Sequence, residues 1–195
     1  MAPLPRVWLI DNDDSFTYNI VELLRRLPCE WALHRWRNIS PSMARSFTHI
    51  IFSPGPGIPD EYGPLFRLLD DLPSHRPLLG ICLGHQVLAR HYGAPLLNLH
   101  PPVHGQAHAV RPCRPSPLWK GLPVPFQAGL YHSWAVSSRN LPPPLIPTAF
   151  SDAGVLMALQ VQGRPWFGVQ FHPESHLTPH GERLMRNFLD VPGKE

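Results

Sequence analysis

The feature that most narrows the fold is an alternation of strand-like and helix-like runs through the first half of the chain. VWLID (7–11) reads as a buried strand. SFTYNIVELLRRL (15–27) follows as an amphipathic helix, with Ser15 placed to cap it and apolar residues at Ile20, Leu23, Leu24 and Leu27. WALHRW (31–36) and THIIFS (48–53) read as strands, the latter ending in the turn-rich PGPGIPDEYG. LFRLLDDL (65–72) has helical spacing, PLLGIC (77–82) is a fourth strand, and LGHQVLARHYG (83–93) is a helix stopped by Gly93. Such alternation predicts a parallel sheet covered by helices on both faces. Residues 96–171 hold short runs broken by Pro, Gly and His, the pattern of hairpins and long loops. FGVQF (167–171) reads as a returning core strand, and TPHGERLMRNFL (178–189) as a last amphipathic helix. The expected fold class is therefore α/β, with a mixed, mainly parallel central sheet flanked by helices. No internal repeat or linker divides the chain, and 195 residues suit one domain over 1–195.

Composition excludes several classes of function. Formal net charge is +3 and lysine occurs only at Lys120 and Lys194, so the charge rests on dispersed arginines. No stripe interleaves basic with aromatic residues, and a nucleic-acid surface is not expected. Cys29, Cys82 and Cys113 show no CxxC spacing, which argues against a disulfide framework or a zinc site. A reducing, cytoplasmic compartment fits this usage. MAPLPRVWLID lacks the long apolar core of a secretory leader, and no apolar run approaches 18 residues, so no membrane span is expected.

The segment GICLG (80–84) carries the most chemistry. It has the form Gly-x-Cys-x-Gly between a predicted strand and a predicted helix. With serine in place of cysteine this is the nucleophile turn of hydrolases. A sharp strand-to-helix turn pushes the nucleophile outward, and flanking glycines let neighbouring backbone approach. Cys82 would sit at a helix N-terminus, whose unpaired N–H groups favour thiolate over thiol. The N–H of Leu83 would then face a developing oxyanion. Cys29 and Cys113 lack this context and read as buried structural cysteines.

A thiol nucleophile needs a base, and the base needs an orienter. HPES (172–175) directly follows the apolar strand FGVQF. In extended chain, residues i and i+2 point the same way, so His172 and Glu174 would share a face, with Pro173 fixing the backbone between them. A carboxylate there would set the imidazole tautomer and stabilise the imidazolium. Taken alone, H-x-E at a strand end suits a structural role equally well; the cysteine turn supplies its catalytic context. His172 and His176 have the spacing of a metal pair without helical geometry, so neither a metal nor a cofactor is expected.

These segments together resemble a known family. GICLGHQ (80–86) and QFHPES (170–175) are similar to the two signatures of class I, triad-type glutamine amidotransferases. DNDDSFTYN (11–19) and SPGPG (53–57) resemble more narrowly the glutamine amidotransferase component of anthranilate synthase and of aminodeoxychorismate (para-aminobenzoate) synthase. The resemblance covers essentially the whole chain and implies a flavodoxin-like fold. It implies glutamine as substrate and Cys82, His172 and Glu174 as catalytic triad. As the partner that receives ammonia it implies a chorismate-binding synthase component. It also implies an oxyanion hole from Gly57 and Leu83, and substrate contacts from Gly55, Pro56, Gly57, Gln86, Ser133 and Trp134.

The sequence departs from the family pattern at four places. Asp13 stands where tyrosine or isoleucine is usual, Gln106 replaces a lysine, Leu130 replaces an arginine, and His176 replaces an isoleucine. These positions are expected on or near the surface that meets the partner. Three alternatives stay open: an amidotransferase of another pathway, a catalytically silent subunit with the same fold, and a free-standing hydrolase of another γ-glutamyl substrate. Anthranilate and para-aminobenzoate versions share these motifs. PDE (59–61) leans towards the latter.

Overall fold

Strands β1 (Arg6–Asp11), β3 (His49–Phe52), β4 (Leu78–Ile81) and β9 (Trp166–Val169) are short and almost wholly buried. That burial explains their unbroken apolar composition: with both sheet faces covered, neither set of alternate side chains meets water. Residues 3–193 are described in this computed structural model. The remaining strands are β2 (Glu30–Arg35), β5 (Leu96–Pro112), β6 (Phe126–Val136), β7 (Leu145–Ser151) and β8 (Leu156–Val161). They form one nine-stranded sheet in the order β2-β1-β3-β4-β9-β8-β7-β5-β6. The half from β2 to β9 is parallel, and every pairing from β9 through β8, β7 and β5 to β6 is antiparallel. The sheet is thus mixed, with the parallel pairing confined to the half that carries the alternating motifs.

Strand parity divides the core in two. Val7 and Leu9 pack with helix α1 (Thr17–Arg25) and helix α4 (Gly181–Leu189) through Ile20, Leu24, Leu184 and Phe188. Trp8 and Ile10 face the other way, with helix α2 (Gly63–Asp71) and helix α3 (Leu83–His91) through Leu65, Leu68, Val87 and Leu88. No helix among the described residues is long and apolar enough to cross a membrane.

Three boundaries differ from expectation. Ser15 does not cap α1. Asp14 closes the preceding turn instead, accepting from the Phe16 N–H at its Oδ1 (2.8 Å) and from the Thr17 N–H at its carbonyl (3.1 Å). The last helix begins at Gly181 rather than at Thr178, whose hydroxyl is bonded to Gly129 and His172 as described below. Strand β9 leaves the ladder after Val169, but its chain runs on through Gln170 and Phe171 to an isolated antiparallel bridge between His172 and Gly129.

The parallel order 2-1-3-4 brings the carboxyl ends of β1, β3, β4 and β9 to one edge. Ligands of doubly wound sheets bind at that edge. It receives Asn12, the 53–57 loop, Cys82 and the segment 170–174.

Candidate active site

Cys82 follows β4 at the N-cap position of α3, with φ 52° and ψ −103°. A non-glycine residue is rarely held there, so the surrounding contacts impose the conformation. Its N–H donates to the Val169 carbonyl (2.8 Å), and its carbonyl accepts the Gln86 N–H (3.1 Å). The flanking glycines are steric requirements. A Cβ on Gly80 would collide with the Gly84 carbonyl, and one on Gly84 would lie 2.6 Å from both Cβ and O of Phe52. Cys82 is 7% exposed. Leu83 is the first helical residue, so its N–H has no acceptor within the helix.

His172 and Glu174 lie together as the strand parity requires. The Nδ1–H of His172 donates to Glu174 Oε1 over 2.7 Å, and both side chains are buried. The His172 N–H donates to the Gly129 carbonyl (3.0 Å), and its own carbonyl accepts from Thr178 Oγ1 (2.6 Å). Thr178 Oγ1 in turn accepts the Gly129 N–H (2.9 Å), closing a clamp between β6 and the histidine. The rings of Phe16 and Tyr131 meet the imidazole edge-on at 5.0 and 4.9 Å. Burial disfavours the imidazolium. The charge of Glu174 and then that of Cys82 outweigh it, leaving the His172 pKa raised well above its ordinary value. Nε2 has no nitrogen or oxygen partner among the described residues and faces the Cys82 sulfur, whose charge and hydrogen bond favour the imidazolium, so it is placed for proton transfer.

A cleft of about 210 Å³ opens over the cysteine. Gly55, Pro56, Gly57, Leu83, Gln86, Ser133 and Trp134 all line it with Cys82, as do Asp14, His104, Tyr131 and His132. His172 and Glu174 lie behind this lining. Gly57 adopts φ 71°, the left-handed region that glycine tolerates. Gln86 Nε2 donates to the Trp134 carbonyl (2.9 Å) and to Gln170 Oε1 (3.1 Å). Only its Oε1 is left to meet a ligand, and as an acceptor.

The profile of class-I glutamine amidotransferases matches residues 8–191. The chain belongs to that family. It is 40% identical over 187 residues to a putative anthranilate synthase component II of Haemophilus influenzae, covering 96% of this chain and 97% of that one. It is 34% identical over 191 residues to the aminodeoxychorismate/anthranilate synthase component 2 of Bacillus subtilis, covering 97% and 98%. A putative GMP synthase subunit protein of Thermoplasma acidophilum superposes with a TM-score of 0.87 at 26% identity, covering 98% of this chain and 95% of that one.

Within this glutamine amidotransferase several environments differ from expectation. Leu130 is 2% exposed and packs in the core, so the arginine's replacement there is a change of interior rather than of a docking surface. Gln106 is exposed on β5, where its Oε1 lies 3.1 Å from His108 Nε2, and His176 is exposed beside α1. Cys113 is exposed and Cys29 half-buried, so neither is the core cysteine expected. Sequence reasoning also passed over Gln170, the Thr178 clamp and the Phe16–Tyr131 pair. Gln170 had a readable signal: by period-two parity it shares a face with Gly168 and His172. The other two depend on contacts between distant segments.

Proposed function

We propose that this amidotransferase hydrolyses glutamine to glutamate and ammonia and passes the ammonia to a separate chorismate-using synthase subunit. The observation that carries the reading is the meeting of a strained Cys82 turn, open to a small cleft, with a buried His172–Glu174 pair. Cys82 thiolate attacks the γ-carboxamide carbon of glutamine. The oxyanion is held by the N–H groups of Leu83 and Gly57. His172, kept protonated by Glu174, gives its proton from Nε2 to the departing nitrogen, which leaves as ammonia. The γ-glutamyl thioester remains on Cys82. His172 then takes a proton from water, the hydroxide attacks the thioester carbon, and glutamate leaves as the thiolate is restored. Gly55, Pro56, Gln86, Ser133 and Trp134 hold the rest of the substrate.

The chorismate-using partner is supported by the names of relatives that match over nearly their whole length at 34–40% identity. The GMP synthase relative is more distant in sequence at 26%. A glutaminase assay with and without a chorismate-using synthase tests the reading. Glutamine-dependent ammonia release is expected, with an aminated chorismate product formed when chorismate and partner are added. No ammonia release in either condition removes the enzyme reading. Full hydrolysis with no complex and no aminated chorismate product removes the partner. The product, anthranilate or aminodeoxychorismate, tells which synthase it serves.

A further inference from the structure

Gln170 is fully buried, and its Nε2 lies 3.5 Å from Cys82 Sγ. Its orientation follows from the donors and acceptors around it. The Trp134 carbonyl can only accept, so Gln86 must turn its Nε2 towards it (2.9 Å). The second hydrogen on that nitrogen then reaches Gln170 Oε1 at 3.1 Å. With its oxygen committed, Gln170 can present only its N–H₂ to the sulfur. The Gln170 backbone is fixed too, its N–H donating to the Met157 carbonyl of β8 (2.8 Å).

We propose that Gln170 is a positioning residue for the Cys82 thiolate, aimed by a one-way amide relay that starts at the Trp134 carbonyl in the cleft wall. An N–H donor favours the anionic sulfur over the thiol, because a hydrogen bond to a charged acceptor is stronger than one to a neutral group. The donor also opposes rotation of Sγ away from the cleft. Gln170 does not line the cleft; it reaches the site through Cys82 and, at its oxygen, through Gln86. The same relay ties the wall where Trp134 would meet the substrate to the nucleophile that attacks it. This inference rests on the proposed nucleophilic role of Cys82.

The test is the rate of Cys82 alkylation by iodoacetamide across pH, read by peptide mass spectrometry, in the full-length protein and two variants. Gln170→Leu keeps bulk and removes the donor. Gln170→Glu keeps shape and turns an oxygen towards the sulfur. Alkylation of Gln170→Leu near neutral pH should fall at least about 10-fold, the low end for losing a hydrogen bond to a charged group. Its pH profile should move to the alkaline side. Glutamine turnover should lose kcat by a similar factor with a smaller change in KM, since Gln86 keeps its bond to the Trp134 carbonyl. Gln170→Glu should be slower still near neutral pH, with its profile moved further to the alkaline side, because a carboxylate facing the sulfur repels the thiolate. Wild-type alkylation rates and profiles in a folded Gln170→Leu protein overturn the proposal, as does an equal loss at every pH in both variants. Alkylation needs no turnover. If the unsubstituted protein releases no ammonia, the functional reading fails, while the alkylation comparison still decides the role of Gln170.

Discussion

Acid should unfold this protein through two histidines the proposed chemistry does not use. His85 on α3 is fully buried, and burial followed by repulsion from His132 lowers its pKa from about 6.5 to about 3. His132 on β6 is 4% exposed. Burial, then the charges of His172, His104 and His108, lowers its pKa to about 4. Unfolded, both would take up a proton near pH 6.5; folded, both refuse it. Between these limits the unfolded state binds more protons, so stability falls as pH falls. Each such histidine costs about 1.4 kcal/mol per pH unit below its unfolded pKa. At about pH 4.5 that is about 2–3 kcal/mol apiece, or about 5 kcal/mol together, comparable to the whole stability of many domains.

Urea unfolding followed by tryptophan fluorescence at several pH values between about 7 and 4.5 reads this loss. The sharper comparison is His85→Leu. No side chain among the described residues hydrogen-bonds to His85, and burial outweighs the pull of the Gly168 backbone on its proton, so an apolar side chain strands no side-chain partner. The carboxylates elsewhere titrate alike in both proteins and cancel in the difference. The variant's stability should therefore fall by about 1.4 kcal/mol less per pH unit below about pH 6 than the wild type's. Parallel curves for the two proteins would refute a neutral buried His85. His172 acts in the opposite sense: its raised pKa stabilises the fold below about pH 6.5, and that contribution is lost as pH rises through the folded value.

Three further outcomes are expected. Iodoacetamide should label Cys82 faster than the exposed Cys113 or half-buried Cys29, with glutamine protecting it; equal labelling of the three counts against an activated Cys82. His172→Ala should lose at least about 100-fold in turnover, and a folded variant with near-normal turnover removes His172 from the mechanism. Gly84→Ala places a Cβ 2.6 Å from Phe52 and should cost about 1–3 kcal/mol in urea unfolding, whereas an unchanged midpoint would show that the α3–β3 contact is not tight.

The parallel half of the fold was legible because its signals are local. An apolar run with no polar alternation announces a strand covered on both faces, and the helices between such runs have their own period. The antiparallel half was legible only as a class of short runs. Its order, with β5 between β7 and β6, depends on which distant segments pair. Ser15 was misread for a related reason. Ser15 and Asp14 both suit a capping turn, and the choice fell to Asp14, whose side chain reaches the Phe16 N–H. The same contrast runs through the site. The glycines of GICLG and the parity of His172 and Glu174 are spacing rules within a few residues. The Thr178 clamp and the link from Gln170 to Cys82 span many residues or two strands, and nothing in either segment names the other. Leu130 shows the reverse failure: a change of charge looked like a surface event, and burial shows it to be packing.

Asp13 joins these two scales. It adopts φ 63°, a left-handed conformation aspartate tolerates better than the bulky residues usual there. Its Oδ2 accepts the Trp36 indole N–H (3.0 Å) and pairs with Arg37, while Arg35 lies 3.9 Å from Oδ1. Trp36 in turn packs on Tyr62, with ring centroids 4.6 Å apart. The Tyr62 hydroxyl donates to the Pro56 carbonyl (2.8 Å) and lies 3.3 Å from that of Asn12. Burial, then the charges of Asp13 and Glu61, pushes its pKa up to about 12, so it remains a neutral donor throughout the physiological range. A residue that reads in sequence as a surface departure is thus three contacts from the Pro56–Gly57 wall of the cleft. Exposed ion pairs add little stability by themselves. Here they have a different consequence: they fix the indole, the indole backs the tyrosine, and the tyrosine holds the loop whose backbone would meet the oxyanion.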